Sequence, residues 1–133
     1  MLHKILVIDD EDVIRQTIRQ QLDGSGFEII EANDGEHGIE LLNTLDNPLT
    51  VDVIICDIRM PKINGIKAIA YFRKEYPSTP IIVLTGYPDV TIATDLLKQG
   101  VSDYLTKPVN KQSLIEVVKK AAQQRTLFKS QSN

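Results

Sequence analysis

One short stretch, residues 53–61, constrains this chain more than any other. Four apolar residues, Val53 to Cys56, lead directly into Asp57, and Met60-Pro61 ends the run shortly afterwards. The run is too short for a helix and apolar on both faces, which predicts a buried parallel strand. Asp57 then lies at the carboxyl end of that strand, where open parallel sheets bind ligands. A carboxylate there is expected to be a nucleophile, a metal ligand or both.

Composition narrows the class of protein. The chain has 133 residues, a length that fits one domain with a substantial core. The net charge of −3 gives no general affinity for nucleic acid or anionic membranes, so neither is expected as a direct partner. The single cysteine, Cys56, excludes an internal disulfide. The apolar run after Lys4 is too short for a signal peptide or a membrane span, so we expect a soluble cytoplasmic protein.

Strand and helix patterns alternate along the whole chain. Strands are predicted at residues 5–8, 27–31, 53–56, 81–84 and 101–105, each followed by a helical pattern. Five such units predict an α/β fold: one doubly wound parallel sheet, order 2-1-3-4-5, flavodoxin-like, with helices on both faces. We expect one domain over residues 1–128 and a polar tail over residues 129–133.

Finer expectations concern the helices. The first helix should place Arg15 outside its apolar stripe, and the second should extend to an inward Leu45. Residues 46–50 are predicted to be a surface loop. Asn64 and Asn110 are expected to cap the third and last helices. The basic residues of the last helix should form a solvated face; they are Lys111, Lys119, Lys120, Arg125 and Lys129.

Polar residues follow four of the predicted strands. Asp9 and Asp10 follow the first strand, Asp57 the third, Thr85 the fourth and Lys107 the fifth. Because the carboxyl ends of parallel strands share one edge, these groups should converge there. Three carboxylates in close contact repel one another, and one lysine offsets only part of that charge. A hard divalent cation such as Mg²⁺ would supply the rest, and the set as a whole suits phosphoryl transfer.

The same motifs carry a resemblance to a known family. Asp9-Asp10, Asp57, Met60-Pro61 with Asn64-Gly65, Thr85-Gly86 and Lys107-Pro108 occur in the order found in receiver domains of bacterial two-component response regulators, the chemotaxis receiver type included. The resemblance covers residues 4–127, and five separated motifs make it specific.

The resemblance implies roles for the residues of the acidic site. Asp57 is the implied phosphoacceptor. Mg²⁺, with Mn²⁺ as a substitute, would be bound by Asp10 directly, by Asp9 largely through water, by Asp57 and by the backbone carbonyl of Arg59. Such a domain is a signalling module and not an enzyme, since it promotes only its own phosphorylation and dephosphorylation.

Further roles implied by the resemblance concern switching and access. Thr85 and Lys107 would contact the phosphoryl group, and Tyr104 would be the aromatic residue that switches position. Arg59 and Tyr87, each two residues beyond a site residue, would modulate access to the acyl phosphate. The implied partners are a sensor histidine kinase or phosphotransfer protein, a downstream protein or effector domain that binds residues 89–128, and a second copy after phosphorylation.

Several alternatives remain at this stage. Asp9 and Asp10 can be caps of the first helix, Thr85 a turn hydroxyl and Lys107 a solvated charge. Tyr104 can be an ordinary half-buried strand residue. The whole domain can also act as a phosphorelay intermediate or phosphate sink without an output switch, or as a pseudo-receiver. A phosphohydrolase of the haloacid dehalogenase type is disfavoured, because Arg59 stands where its second aspartate is required.

Overall fold

The structure, a computed structural model, describes residues 3–59 and 65–131, with side chains as far as Leu127. The strands are β1 (His3–Ile8), β2 (Phe27–Ala32), β3 (Val51–Asp57), β4 (Ile81–Thr85) and β5 (Asp103–Thr106). The helices are α1 (Asp12–Gln21), α2 (Gly35–Leu42), α3 (Asn47–Thr50), α4 (Gly65–Glu75), α5 (Val90–Lys98) and α6 (Lys111–Gln131). Met60-Pro61, the Asn64 cap and residues 132–133 of the expected tail lie outside the described residues.

The five strands form one parallel sheet in the order β2-β1-β3-β4-β5. The predicted fold class is therefore confirmed. Alternate residues of β1 point to opposite faces: Leu6 and Ile8 join the core under α2, α4 and α5, whereas Ile5 and Val7 join the core under α1 and α6. Helices thus cover both faces, and this explains why the central strands are apolar throughout.

Two local features fix where helices begin near the carboxyl ends of the strands. Asn110 caps α6 as predicted, because its Oδ1 accepts a hydrogen bond from the Ser113 backbone N–H at 3.0 Å. Gly65 begins α4 directly against the end of β3. A Cβ atom at this position would lie 1.9 Å from the Asp57 carbonyl oxygen and 2.5 Å from the Ile58 Cα, so no side chain fits there.

The expectations for residues 45–50 are wrong. Helix α2 ends at Leu42, and Leu45 has a φ of 51° and is 92% exposed. A positive φ is uncommon for a residue other than glycine, and Leu45 lies in the turn between α2 and α3 and not in a helix. Residues 47–50 then form the short helix α3, which carries a proline in its first turn, a position where its missing N–H costs nothing.

Arg125 was expected on a solvated face but is only 6% exposed, so that expectation is wrong. Its guanidinium donates to the Pro48 carbonyl at 3.1 Å and to the Ser78 hydroxyl, and its Nε lies 3.7 Å from Asp52 Oδ1. The other oxygen of Asp52 contacts His3 Nδ1. These three residues, Asp52, His3 and Arg125, form a polar cluster where β3 begins, which we call the Asp52 cluster.

None of the helices within the described parts of the chain is both long enough and apolar enough to cross a membrane. The structure is in this respect consistent with the short apolar runs of the sequence. Each run is used as a strand of the sheet or as the buried stripe of a surface helix.

Candidate functional site

Asp57 is the last residue of β3 and is 3% exposed. Its Oδ1 accepts a hydrogen bond from the Arg59 backbone N–H at 3.0 Å, which orients the carboxylate at the end of the strand. The strand upstream is buried on both faces, so its position is fixed by the core of the sheet. The structure therefore presents one carboxylate of defined orientation at the edge where parallel sheets bind ligands.

Asp9 and Asp10 follow β1, the strand next to β3. Carboxylate oxygens of Asp9, Asp10 and Asp57 all lie within 4.8 Å of one another. Asp9 is fully buried, and its Oδ1 accepts from the Glu11 backbone N–H at 2.8 Å, whereas Asp10 is exposed. The alternative that one of the two caps α1 is wrong, because the capping position is Glu11, which makes no side-chain cap bond.

Lys107 follows β5 and reaches across the edge to the carboxylates. Its Nζ lies 2.9 Å from Asp9 Oδ2, 3.3 Å from Asp57 Oδ2 and 3.5 Å from Glu11 Oε1. Lys107 is thus no solvated charge. Glu11 was not among the predicted site residues, although its place directly after the aspartate pair was a usable signal.

Burial and the neighbouring charges shift the pKa values of Asp9 and Lys107. Burial raises the pKa of Asp9 above its ordinary 3.8, and Asp57 adds to the rise; the Glu11 N–H and Lys107 act in the opposite direction. Burial lowers the pKa of Lys107, but the hydrogen bond to Asp9 and the charges of Asp9 and Asp57 outweigh it, so that the pKa lies above 10.5. Lys107 therefore stays protonated at neutral pH, and among the described residues this one ammonium group faces an excess of carboxylates.

This donor set fits a hard divalent cation. The three clustered residues offer only carboxylate oxygens, which Mg²⁺ and Mn²⁺ prefer. Asp9 is buried at an energetic cost that a nearby positive charge would reduce. Asp10 is exposed, which leaves room for the several water ligands that Mg²⁺ usually retains.

Thr85 and Tyr104 flank this group on the two neighbouring strands. Thr85 ends β4 and is fully buried, and its hydroxyl accepts a hydrogen bond from the Tyr87 backbone N–H at 3.1 Å. Its carbonyl accepts from the Lys107 N–H at 2.7 Å, which connects the ends of β4 and β5. Tyr104 is paired with Val83 and packs against the core, and its hydroxyl is buried with no hydrogen-bond partner among the described residues.

Arg59 and Tyr87 meet at the rim of the site. The guanidinium carbon of Arg59 lies 4.6 Å from the centre of the Tyr87 ring, in cation–π geometry. Tyr87 is 66% exposed, and Arg59 is exposed as well. Each residue was predicted separately to modulate access to the site, and in the structure the two side chains contact each other.

Comparisons of the sequence with known proteins identify a family and several relatives. A family model described as the response regulator receiver domain matches residues 5–119. The chain is 38% identical to the transcriptional regulatory protein DegU of Brevibacillus brevis, over 90% of this chain and 50% of that protein. It is 35% identical to the regulatory protein AtoC of Escherichia coli K12, over 96% of this chain and 27% of that protein. The chain spans between about a quarter and a half of the length of these curated relatives.

Solved structures give the same relationship at the level of the fold. A response regulator receiver domain protein from Clostridium thermocellum superposes with a TM-score of 0.87 at 35% identity, and the match covers 96% of this chain and 99% of that one. The chemotaxis protein CheY4 of Vibrio cholerae has a TM-score of 0.81 at 28% identity, covering 91% of this chain and 99% of that one. Both are close to this chain in length as well as in architecture.

Proposed function

Because the chain belongs to the response regulator receiver domain family, we propose that it takes a phosphoryl group onto Asp57 from a sensor histidine kinase or phosphotransfer protein and, in doing so, changes a surface that controls a partner. Residues 1–128 would form this domain, acting in the cytoplasm. The family is a signalling family and not a class of enzymes in the ordinary sense. Beyond membership of the family, we propose the phosphorylation of Asp57, the binding of Mg²⁺ and the control of a partner.

One observation carries the proposal: the carboxylates of Asp9, Asp10 and Asp57 and the ammonium group of Lys107 converge where the strands end. Asp57 is the carboxylate best suited to be the nucleophile, because it ends the central strand and its Oδ1 is held by the Arg59 N–H. Its Oδ2 faces Lys107 Nζ at 3.3 Å. A nucleophile with an adjacent cation is the arrangement that phosphoryl transfer requires.

The metal would be held by Asp10 directly, by Asp9 largely through water, by Asp57 and by the Arg59 backbone carbonyl. When bound, Mg²⁺ supplies positive charge that neutralises the transferring phosphoryl group and its acceptor. The excess of carboxylates over cations among the described residues supports such a ligand. Mn²⁺ has similar ligand preferences and would substitute.

The chemical step is a displacement at phosphorus. A carboxylate oxygen of Asp57 attacks the phosphorus of a phosphohistidine; a P–O bond forms, the P–N bond breaks, and the imidazole leaves with the electron pair and takes up a proton. Lys107 Nζ, now between Asp9 and Asp57, would turn to an oxygen of the new phosphoryl group. The Thr85 hydroxyl would give up its acceptor role toward Tyr87 and donate to another such oxygen.

The proposed output begins at Thr85 and Tyr104. The Tyr104 ring packs against the core with its hydroxyl buried and unpaired among the described residues, and such a group costs about 1–3 kcal/mol. An outward position would return the hydroxyl to water, so the side chain has reason to occupy two positions. Inward movement of Thr85 on phosphorylation would favour the inward ring and alter α5, β5 and α6.

We propose that this altered face, residues 89–128, binds a downstream protein, an effector domain or a second copy of the domain. The exposed Val90 and Leu97 of α5 supply apolar surface for such contacts. A phosphorelay intermediate or phosphate sink would lack this coupling. Beryllofluoride with Mg²⁺ separates the two readings: amide shifts that spread over residues 89–105 and shrink in Thr85→Ala support the switch, and shifts confined to the neighbours of Asp57 support the relay or sink.

The phosphoacceptor role has a direct test. Incubation with Mg²⁺ and acetyl phosphate should give a stoichiometric mass increase that hydroxylamine removes, and Asp57→Asn should abolish it. Chelation of the metal should also abolish it. Continuous release of phosphate with turnover would instead indicate a phosphohydrolase, and an absence of modification would indicate a pseudo-receiver.

A further inference from the structure

The turn that carries the two aspartates is held in place by a residue outside the site. Between β1 and α1 the chain has three residues, Asp9, Asp10 and Glu11. The Asp9 N–H donates to the Ala32 carbonyl at 3.1 Å, and the Asp9 carbonyl accepts from Arg15 Nη1. The backbone N–H and carbonyl of Asp9 are therefore both hydrogen-bonded to neighbouring elements. The position of the exposed Asp10 carboxylate, in contrast, depends on where the Asp10 backbone lies.

The Arg15 contact acts on the peptide group that joins Asp9 to Asp10. A peptide group is planar, and the Cα of Asp10 belongs to the same plane as the Asp9 carbonyl. A donor fixed on that carbonyl therefore fixes the position of the Asp10 Cα, and this limits the region that the Asp10 carboxylate can reach. Arg15 thus acts on the one carboxylate of the site that the core does not already hold.

Arg15 is itself held firmly. Its Nε lies 3.2 Å from Glu31 Oε1 on β2, and its Nη2 lies 3.0 Å from Asp12 Oδ1. The side chain is 14% exposed, although the sequence placed it outside the buried face of α1. One planar guanidinium thus serves three acceptors from three directions, an arrangement that the single ammonium of lysine cannot reproduce.

The charge of Arg15 does not explain its place here. A lone cation beside a metal site would weaken metal binding by repulsion. Glu31 and Asp12 each pair with this guanidinium and offset its charge, so what remains is the hydrogen bond to the Asp9 carbonyl. The arrangement is that of a group which orients metal ligands without touching the metal.

We propose that Arg15, braced by Glu31, is a positioning residue that sets the Asp9–Asp10 peptide and thereby the Asp10 carboxylate for metal binding. The inference rests on the metal site of the proposed function and adds to it a residue which the comparisons do not assign. It predicts a loss of Mg²⁺ affinity from a side chain that is not a ligand.

The test compares Mg²⁺ dissociation constants, measured by amide chemical-shift titration at a temperature where every variant is folded by circular dichroism. Arg15→Lys keeps the charge and loses the planar fork, and Arg15→Gln loses both. Arg19→Gln is the matched control: Arg19 lies one turn further along α1 and also pairs with Glu31, but it is 50% exposed and its described ion pair does not involve the aspartate turn. We expect both Arg15 variants to raise the Kd about tenfold and Arg19→Gln to leave it unchanged.

A second measurement separates positioning from loss of chemistry. With Mg²⁺ at saturation, Arg15→Lys should be phosphorylated by acetyl phosphate at close to the wild-type rate, because Asp57, Thr85 and Lys107 are intact. At limiting Mg²⁺ it should be slower than the wild type. A rate that stays low at saturation would place Arg15 in the chemical step and would overturn a role in metal positioning.

Other outcomes would also overturn the inference. Tighter Mg²⁺ binding by Arg15→Gln would mean that the residue acts through its charge, and a lowered Tm with an unchanged Kd would make it a structural brace only. If Arg15→Gln does not fold, Glu31→Gln weakens the same brace, and an unchanged Kd there counts against the inference. Failure of the wild type to bind Mg²⁺ would overturn the proposed function and this inference with it, whereas unchanged variants beside a wild type that binds and is phosphorylated would overturn this inference alone.

Discussion

Strand β3 carries a buried aspartate near each end, and the two have opposite surroundings. Asp52, 2% exposed, meets Arg125 and His3. Asp57, 3% exposed, lies beside two further aspartates and shares Lys107 with Asp9. At the beginning of β3, a guanidinium group and an imidazole ring lie against the Asp52 carboxylate. At the other end negative charge is in excess.

The difference separates a structural use of buried charge from a functional one. A buried ion pair is costly to break, because the remaining partner is left uncompensated. An excess of like charge lowers stability until a ligand supplies the missing charge, and the Asp57 charge adds to the rise in the pKa of Asp9 that burial causes. We therefore expect substitutions in the Asp52 cluster to change folding and substitutions around Asp57 to change chemistry.

The sharpest test of this comparison exchanges an aspartate for asparagine at each end. Asp57→Asn should abolish the hydroxylamine-labile mass increase with acetyl phosphate, because an amide cannot form an acyl phosphate. Asp52→Asn, assayed at low temperature where it remains folded, should still be modified stoichiometrically. Full modification of Asp57→Asn would show that Asp57 is not the phosphoacceptor, and the functional side of the comparison would fail.

The next effect concerns stability at the opposite end. Arg125→Met should lower the free energy of unfolding by about 3 kcal/mol, because it leaves the buried Asp52 without its guanidinium partner. Urea denaturation measures this, with Lys120→Met, an exposed position on the same helix, as the control. Equal stabilities of the two variants would show that the Asp52 cluster contributes nothing beyond ordinary surface charge.

A smaller effect of opposite sign is expected at Asp9. With the metal chelated, Asp9→Asn should raise the free energy of unfolding at neutral pH by about 1 kcal/mol, since it removes one member of a repelling group. The pKa of Asp9 is raised in the folded state, so its contribution to stability is most favourable below 3.8 and declines as the pH rises through the folded-state value.

The advantage of Asp9→Asn over the wild type should therefore grow with pH over that interval and then level off. Denaturation curves at several acidic and neutral pH values in chelator measure it. Addition of Mg²⁺ should stabilise the wild type more than the variant, because binding to the folded state adds to its stability. An advantage that is absent or that shrinks with rising pH would contradict the excess of negative charge.

The smallest effect concerns the rim of the Asp57 site. If the Arg59–Tyr87 contact shields the acyl phosphate, its loss in Tyr87→Ala should shorten the phosphoryl lifetime about two- to fivefold, the equivalent of about 0.5–1 kcal/mol for an exposed cation–π pair. Val90→Ala, a nearby exposed position on α5, serves as the control. Arg59→Ala should have a similar effect, and the double variant should be no faster than either single one.

Sequence reasoning succeeded where topology alone decides the outcome. Asp9 and Asp57 follow the adjacent strands β1 and β3, and Lys107 follows β5 at the same edge of the sheet, so the order 2-1-3-4-5 brings these residues to one edge without knowledge of the loops. The apolar runs identified the strands, and right-handed crossovers left few possible orders. The residue types then indicated the chemistry.

It failed where a long side chain finds a partner far away in the sequence. Arg125 was expected on a solvated face and is buried by partners on other elements, whereas Arg15 was expected only outside the apolar stripe of its helix and is half-buried beside Glu31. For Arg125 a signal existed, since it continues the spacing of the inward residues Leu114, Val118 and Ala121. For Arg15 the pairing with Glu31 depends on where α1 lies relative to β2, which a helical period does not specify.

The close approach at Gly65 has a consequence for genetics. This position has no group that can bind a metal or a phosphoryl group, yet even alanine would force the beginning of α4 away from the Asp57 carbonyl. In a saturation-mutagenesis screen scored by signalling output, Gly65 should therefore be as intolerant as the phosphoacceptor itself. Such a screen would group Gly65 with the residues that react, although a replacement there acts only by preventing the close contact between α4 and the end of β3.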